Sequence, residues 1–231
     1  SDVCSSDLQK LLFLDLETFP EEEFKNLTTQ KQEAFEHHYY SKEEEDDGLG
    51  DIEQQFKRKA GLMPEFGKII CASIGYERDD GSFKTKCAKG KDEGPILDML
   101  DNIAEPMQLA DYGIAGWNIN NFDIPFIAKR FILTDNFVPP FYNTLGIKPW
   151  ESKNVDVMDL WKCGGWGRAT SLEVACAALN IPVKFTEHTG VNIWEQNIDD
   201  INWDEMEMYC NNDIYSAWCI YKKLQAVAYI E

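Results

Sequence analysis

Two carboxylates, Asp15 and Glu17, sit two residues apart inside the apolar run "LLFLDLETFP" (residues 11–20). On an extended strand such residues share a face, so the pair is aimed together while Leu14 and Leu16 point to the other side. Two ionised neighbours of like charge repel, and burial adds a desolvation cost that a cation between them offsets. Oxygen-only donors suit a hard divalent cation such as Mg²⁺ or Mn²⁺. Taken by itself, the pair fits equally well the polar face of a strand at a sheet edge.

Two further places carry the same kind of group. Asp123, in "GWNINNFDIPF" (116–126), follows a buried apolar stretch and opens one with helical spacing, where a capping role at a helix N-terminus is the plainer alternative. Tyr209 and Asp213, in "YCNND" (209–213), are i and i+4 and so share a helix face. Singly they read as a core tyrosine and a surface aspartate. Asp156 and Asp159 read as structural or surface groups. His37 and His38, adjacent on a helix and so roughly 100° apart around it, read as exposed rather than as metal ligands.

The elements that must position these groups follow from hydrophobic period and turn signals. Residues 10–17 read as a strand, and the charged segment 21–60 as an insertion beside the main sheet whose "EEEDDGLGD" stretch is a solvated loop. Residues 68–76 and 82–90 form a hairpin across "ERDDG". A helix over 95–110 is expected to be interrupted near Pro106, and 113–118 reads as a buried strand. Helices are expected at 123–133, at 171–180 with Ser171 as N-cap, and at 204–224, with a strand-to-helix transition at 154–162. Three antiparallel strands, a parallel strand and packed helices give a mixed sheet covered by helices, an α/β fold.

Composition narrows the function. The 231 residues, 44% hydrophobic, fill one core, and the net charge of −19 argues against a general basic surface for nucleic acid. Residues 21–53 hold 12 Asp/Glu against 3 Lys/Arg, so nearly half of the imbalance is local. The seven cysteines (Cys4, Cys71, Cys87, Cys163, Cys176, Cys210, Cys219) form no C-x-x-C pair, which points to reduced thiols and to neither a disulfide framework nor a zinc site. No apolar run approaches the ~18–20 residues that span a bilayer, so a soluble cytoplasmic protein is expected, with no membrane partner. The opening "SDVCSSDL" (1–8) matches, codon for codon, the translated end of a common sequencing-library adapter. It is expected to be an assembly artefact replacing the true N-terminus, ahead of a single domain over 9–231.

In combination, the D-x-E strand, N-x-x-x-F-D (Asn118 to Asp123) and Y-x-x-x-D (Tyr209 to Asp213) resemble the tyrosine-bearing branch of the DEDD superfamily of 3′–5′ exonucleases. "GWNINNFDIPFIAKR" is similar to the proofreading domain of family-B DNA polymerases. "PEFGKIICASIGY", "KPWE", "VDVMDLWK" and "TSLEVACAALNIP" resemble more closely a stand-alone bacterial and phage family of predicted exonucleases related to it. The resemblance runs over about 10–225. It implies a ribonuclease-H-like fold and two divalent cations, Mg²⁺ or Mn²⁺, held by Asp15, Glu17, Asp123 and Asp213. Tyr209 would orient the attacking water, since a phenol with a reference pKa of ~10 is a poor base at neutral pH.

The implied reaction releases nucleoside 5′-monophosphates from the 3′ end of a single strand, DNA being favoured over RNA. Thr18, Asn118, Asn121 and Phe122 would line the pocket for the terminal nucleotide. The glycine-broken "LWKCGGWGRATS" (160–171), with Trp166, Arg168 and Ser171, is proposed as part of the wall that holds the strand by stacking and phosphate contact. A plain connector with Trp161 in the core is its alternative. An exoribonuclease, a catalytically silent nucleic-acid-binding module and the proofreading part of a longer polymerase are the competing readings.

Overall fold

A computed structural model describes residues 9–41, 48, 50–148, 151–165, 170–182 and 190–227. The opening octapeptide, Trp166 and Arg168 lie outside them, as does most of the acidic "EEEDDGLGD" stretch.

Five strands form one sheet: β1 (Leu11–Pro20), β2 (Gly67–Glu77), β3 (Phe83–Lys89), β4 (Gly113–Gly116) and β5 (Val155–Asp156), in the order β3-β2-β1-β4-β5. β1, β2 and β3 pair antiparallel, and β4 and β5 continue the sheet in parallel. Asp80 stabilises the β2–β3 turn by accepting from the amide and hydroxyl of Ser82. This is the expected mixed sheet.

Alternation along β1 supplies two cores. Leu12, Leu14 and Leu16 pack with α3 (Gly94–Leu109) and α4 (Asp123–Leu133) on one face. Leu11 and Phe13 face α6 (Leu172–Leu179) and α7 (Trp203–Val227) on the other. Asp15 and Glu17 continue that second row, so the helices that bury Leu11 and Phe13 also enclose the carboxylates. Next to Glu17 the β1–β2 register skips a residue, Glu17 pairing with Cys71 and Thr18 with Ile69. Such a bulge bends the ladder. It frees Ile70 to pack with Phe19, Ile193 and Ile201 in a separate small cluster.

One expectation is corrected. α3 runs unbroken to Leu109 with Pro106 inside it. The proline falls in the last turn, where only one ladder bond is lost, and the buried face of Ile96, Leu97, Leu100 and Ala104 holds the helix. The charged insertion also has a core of its own. α1 (Thr29–His38) and α2 (Ile52–Ala60) enclose Leu27, Phe35, Phe56 and Phe66, the Phe35 and Phe56 rings meeting edge to face at 4.9 Å. Buried Gln55 clamps both ends of the acidic loop. It donates to the carbonyls of Ser41 (2.8 Å) and Gly50 (3.0 Å) and accepts from the Ser41 amide (3.0 Å). His37 and His38 are exposed, as expected.

Arg130 ties insertion to sheet. Only 2% exposed, it donates to Glu93 through Nε and Nη2 (2.7 Å for the latter), to Glu21 through Nη1 and Nη2, and to the Pro64 carbonyl (2.9 Å). Glu93 also accepts from the Ile69 amide (2.7 Å), beside the bulge. A buried pair of this kind adds little when intact and much disorder when halved. Arg130→Met is therefore expected to lower the unfolding free energy by about 3–5 kcal/mol, because Glu93 is left charged and buried. Glu21→Gln, on the exposed side of the network, is expected to cost less than about 1 kcal/mol. Urea titrations of both variants check the contrast.

Candidate metal centre

Each candidate carboxylate comes from a different element or strand position. Asp15 and Glu17 project from the α7-facing side of β1. Asp213 lies four residues past Tyr209 on α7 and reaches down to them. One ligand oxygen from each of Asp15, Glu17 and Asp213 lies within 4.8 Å of the others. The strand spacing and the helix spacing thus converge on one point.

Asp123 stands beside this trio. It is the first residue of α4, and Phe122 occupies the N-cap position without a side-chain cap bond. The carboxylate is 3% exposed, and its Oδ1 has no hydrogen-bond partner. A capping role is therefore not what the structure gives it. The loop that delivers it is anchored by Asp156, which accepts from the amides of Asn118 (2.9 Å), Asn120 (3.1 Å) and Met158 (3.1 Å). Gly116 permits this arrangement, since a Cβ there would stand 2.5 Å from the Leu14 carbonyl oxygen. Asp156 is thus structural, as the sequence reading has it.

The electrostatics are those of an acidic cluster short of positive charge. Burial, with Cys210, Asp213, Glu17 and Asp123 adding, lifts Asp15 well above the usual carboxylate range. Burial, then Asp213 and Asp123, pushes Glu17 up to about 8. Asp123 rises to about 7 through burial, partly offset by the backbone amides of Asp123 and Leu16. Asp213 rises to about 7 through burial and Glu173, with Tyr209 pulling the other way. Oxygen-only donors, an unpartnered buried oxygen on Asp123 and this shared strain toward protonation fit a hard divalent cation. Tyr209 is half-buried and, through burial and then Asp213, Glu17 and Asp15, is held above its ordinary value. Its hydroxyl hydrogen-bonds Asp213.

Other expected contacts fare unevenly. Asn118 takes a positive φ of 64° and accepts from the Asn121 amide side chain (3.0 Å), while Phe122 packs on Phe126. Thr18 is buried and, by alternation, turned away from the carboxylates. Ser171 is exposed and caps α6 by accepting from the Val174 amide (3.4 Å). Trp161 packs on the α6–α7 core and Lys162 pairs with Asp159, which favours the connector reading for that part of the loop. Two neighbours escaped the sequence reading: Glu173, charge-coupled to Asp213 and Tyr209, and Cys210, whose thiol touches Asp15. For Glu173 the Ser171 cap gave the helix start, but nothing in one dimension placed that helix against α7.

A carboxylate cluster on the first strand of a mixed sheet, closed by the last helix, gives an α/β fold with a candidate metal centre. The family model described as a predicted 3′–5′ exonuclease related to the exonuclease domain of PolB matches residues 62–229, and the chain belongs to that family. The match includes Asp123, Tyr209 and Asp213 but begins beyond β1, so Asp15 and Glu17 join the site on geometry.

Among solved structures, the family B DNA polymerase from the hyperthermophilic archaeon Pyrobaculum calidifontis superposes with a TM-score of 0.60 at 14% identity, over 94% of this chain and 25% of that one. The exonuclease of the ExoI/SSB-Ct complex gives 0.51 at 10% identity, over 94% and 41%. This chain therefore spans well under half of either. The fold is ribonuclease-H-like. No curated protein matches the chain in sequence.

The raised carboxyls predict a pH dependence. Without metal they keep protons to higher pH than in the unfolded chain, where values near ~4 apply. The native state then binds more protons between about pH 4 and 8, and stability falls as pH rises through that window. Glu17→Gln removes one repelling acid. Its metal-free melting temperature is expected to exceed wild type by about 4–8 °C near pH 8, a gain on the order of 2 kcal/mol, with the difference vanishing near pH 4. Millimolar Mn²⁺ is expected to raise wild type more than the variant. Scanning calorimetry over that pH range reads both effects.

Proposed function

We propose that this chain hydrolyses single-stranded DNA from its 3′ end, releasing nucleoside 5′-monophosphates with the help of two divalent cations, Mg²⁺ or Mn²⁺. The convergence of Asp15, Glu17 and Asp213 within 4.8 Å carries the reading. Family membership supports the direction of attack, and the relation to a DNA polymerase domain favours DNA over RNA. Among the described residues no helix is long and apolar enough to cross a membrane, consistent with action in the cytoplasm.

Asp15, Glu17, Asp123 and Asp213 are the ligands in this proposal. When bound, the cations lower the pKa of the attacking water and neutralise charge on the leaving 3′-oxygen. Tyr209, kept protonated, holds that water in line by hydrogen bonding. Asn118, Asn121 and Phe122, on the turn before α4, border the terminal nucleotide. Thr18 contributes through its backbone at the end of the D-x-E pair; Ser171 contacts the strand in this proposal, as do Trp166 and Arg168, which lie outside the described residues. Glu173, close to Asp213, adds negative charge at the mouth and strengthens the demand for a cation.

A 5′-labelled oligodeoxynucleotide with Mn²⁺ or Mg²⁺ is expected to shorten as a ladder from the 3′ end, faster than RNA of the same sequence. Asp15→Ala is expected to abolish the ladder. A folded wild type that shortens neither strand with either metal would overturn the proposal. Tyr209→Phe is expected to lower kcat about ten- to hundredfold while Mn²⁺ affinity, read by electron paramagnetic resonance, stays within about twofold.

A further inference from the structure

Cys210 lies between Tyr209 and Asp213 in sequence but points elsewhere. It is fully buried, and its Sγ donates to Asp15 at Oδ2 (3.2 Å), with the Asp15 carbonyl oxygen at 3.4 Å. Sulfur hydrogen bonds are long, so both separations are bonding distances. Among the described residues no other side chain donates to this carboxylate. Ser73, the β2 residue directly across from Asp15, has a buried Oγ without a hydrogen-bond partner. That hydroxyl makes no bond to Asp15 and lies beside the Cys210 and Cys87 sulfurs instead.

We infer that Cys210 is a positioning residue for Asp15: its S–H holds the carboxylate in the orientation that presents oxygen to the point shared with Glu17 and Asp213. The inference rests on the metal-centre reading above. A carboxylate offers about four lone-pair sites, and one bond to sulfur leaves the rest for cations. The donor's chemistry suits the place. An ammonium or guanidinium would neutralise Asp15 and compete with a cation, whereas a protonated thiol orients without adding charge. As a soft donor it also does not displace oxygen from a hard ion. Cys71, whose Sγ lies 3.3 Å from that of Cys87 across β2 and β3, packs against the Cys210 thiol.

The test measures Mn²⁺ binding by electron paramagnetic resonance, and separately the metal concentration for half-maximal cleavage, in wild type, Cys210→Ser, Cys210→Ala and Cys210→Val. Melting temperature is recorded for each. The alanine and valine variants lose the donor with opposite effects on volume, so a folding defect in one leaves the other to decide. Both are expected to bind Mn²⁺ about tenfold more weakly, with kcat at saturating metal recovering to near wild type. Cys210→Ser keeps a donor and is expected within about threefold of wild type. Serine as weak as alanine, or donor-less variants as tight as wild type, would overturn the inference while leaving the exonuclease reading intact. Wild type that binds no Mn²⁺ would remove both.

Discussion

Three carboxyl groups converge within 4.8 Å, with Asp123 beside them, against their own repulsion, and much of the architecture serves that constraint. No single element could do it. β1 supplies two acids because its alternation is fixed by apolar rows on both faces. α4 supplies the third at its N-terminus, where the helix dipole favours negative charge. α7 supplies the fourth from above. The apolar clusters on either side of the sheet provide the free energy, and the clustered acids spend part of it.

The sequence made this legible wherever one period governed one element. Asp15 and Glu17 could be assigned to a common face from strand alternation, and Tyr209 and Asp213 from helical spacing. The hairpin, the cap at Ser171 and the order of antiparallel and parallel strands are local signals of the same sort. What escaped depends on contacts between distant segments. Phe35, Phe56 and Phe66 lie too far apart in the chain to announce a shared core, so segment 21–60 read only as a charged insertion beside the main sheet. Cys210 read only as one of the reduced thiols because its partner is 195 residues away. Pro106 misled for a different reason: a breaker in the last turn interrupts little.

The insertion is not an appendage to the site. Arg130 sits on α4 seven residues beyond Asp123 and reaches Glu21 at the exit of β1, Pro64 before β2 and Glu93 before α3. Four chain segments therefore share one cation. Displacing the insertion would unseat the helix that carries Asp123 and the strand end that follows Glu17, so geometry at the carboxylates and packing outside the sheet are set together.

Gln55 has a different kind of consequence. Because one amide grips the backbone at Ser41 and at Gly50, the distance between those points belongs to the fold and not to the residues that connect them. Closure entropy rises only slowly with length, by ~0.6 kcal/mol per doubling. A connection of different length between Ser41 and Gly50 would therefore close at small cost, because Gln55 holds both anchor points whatever joins them.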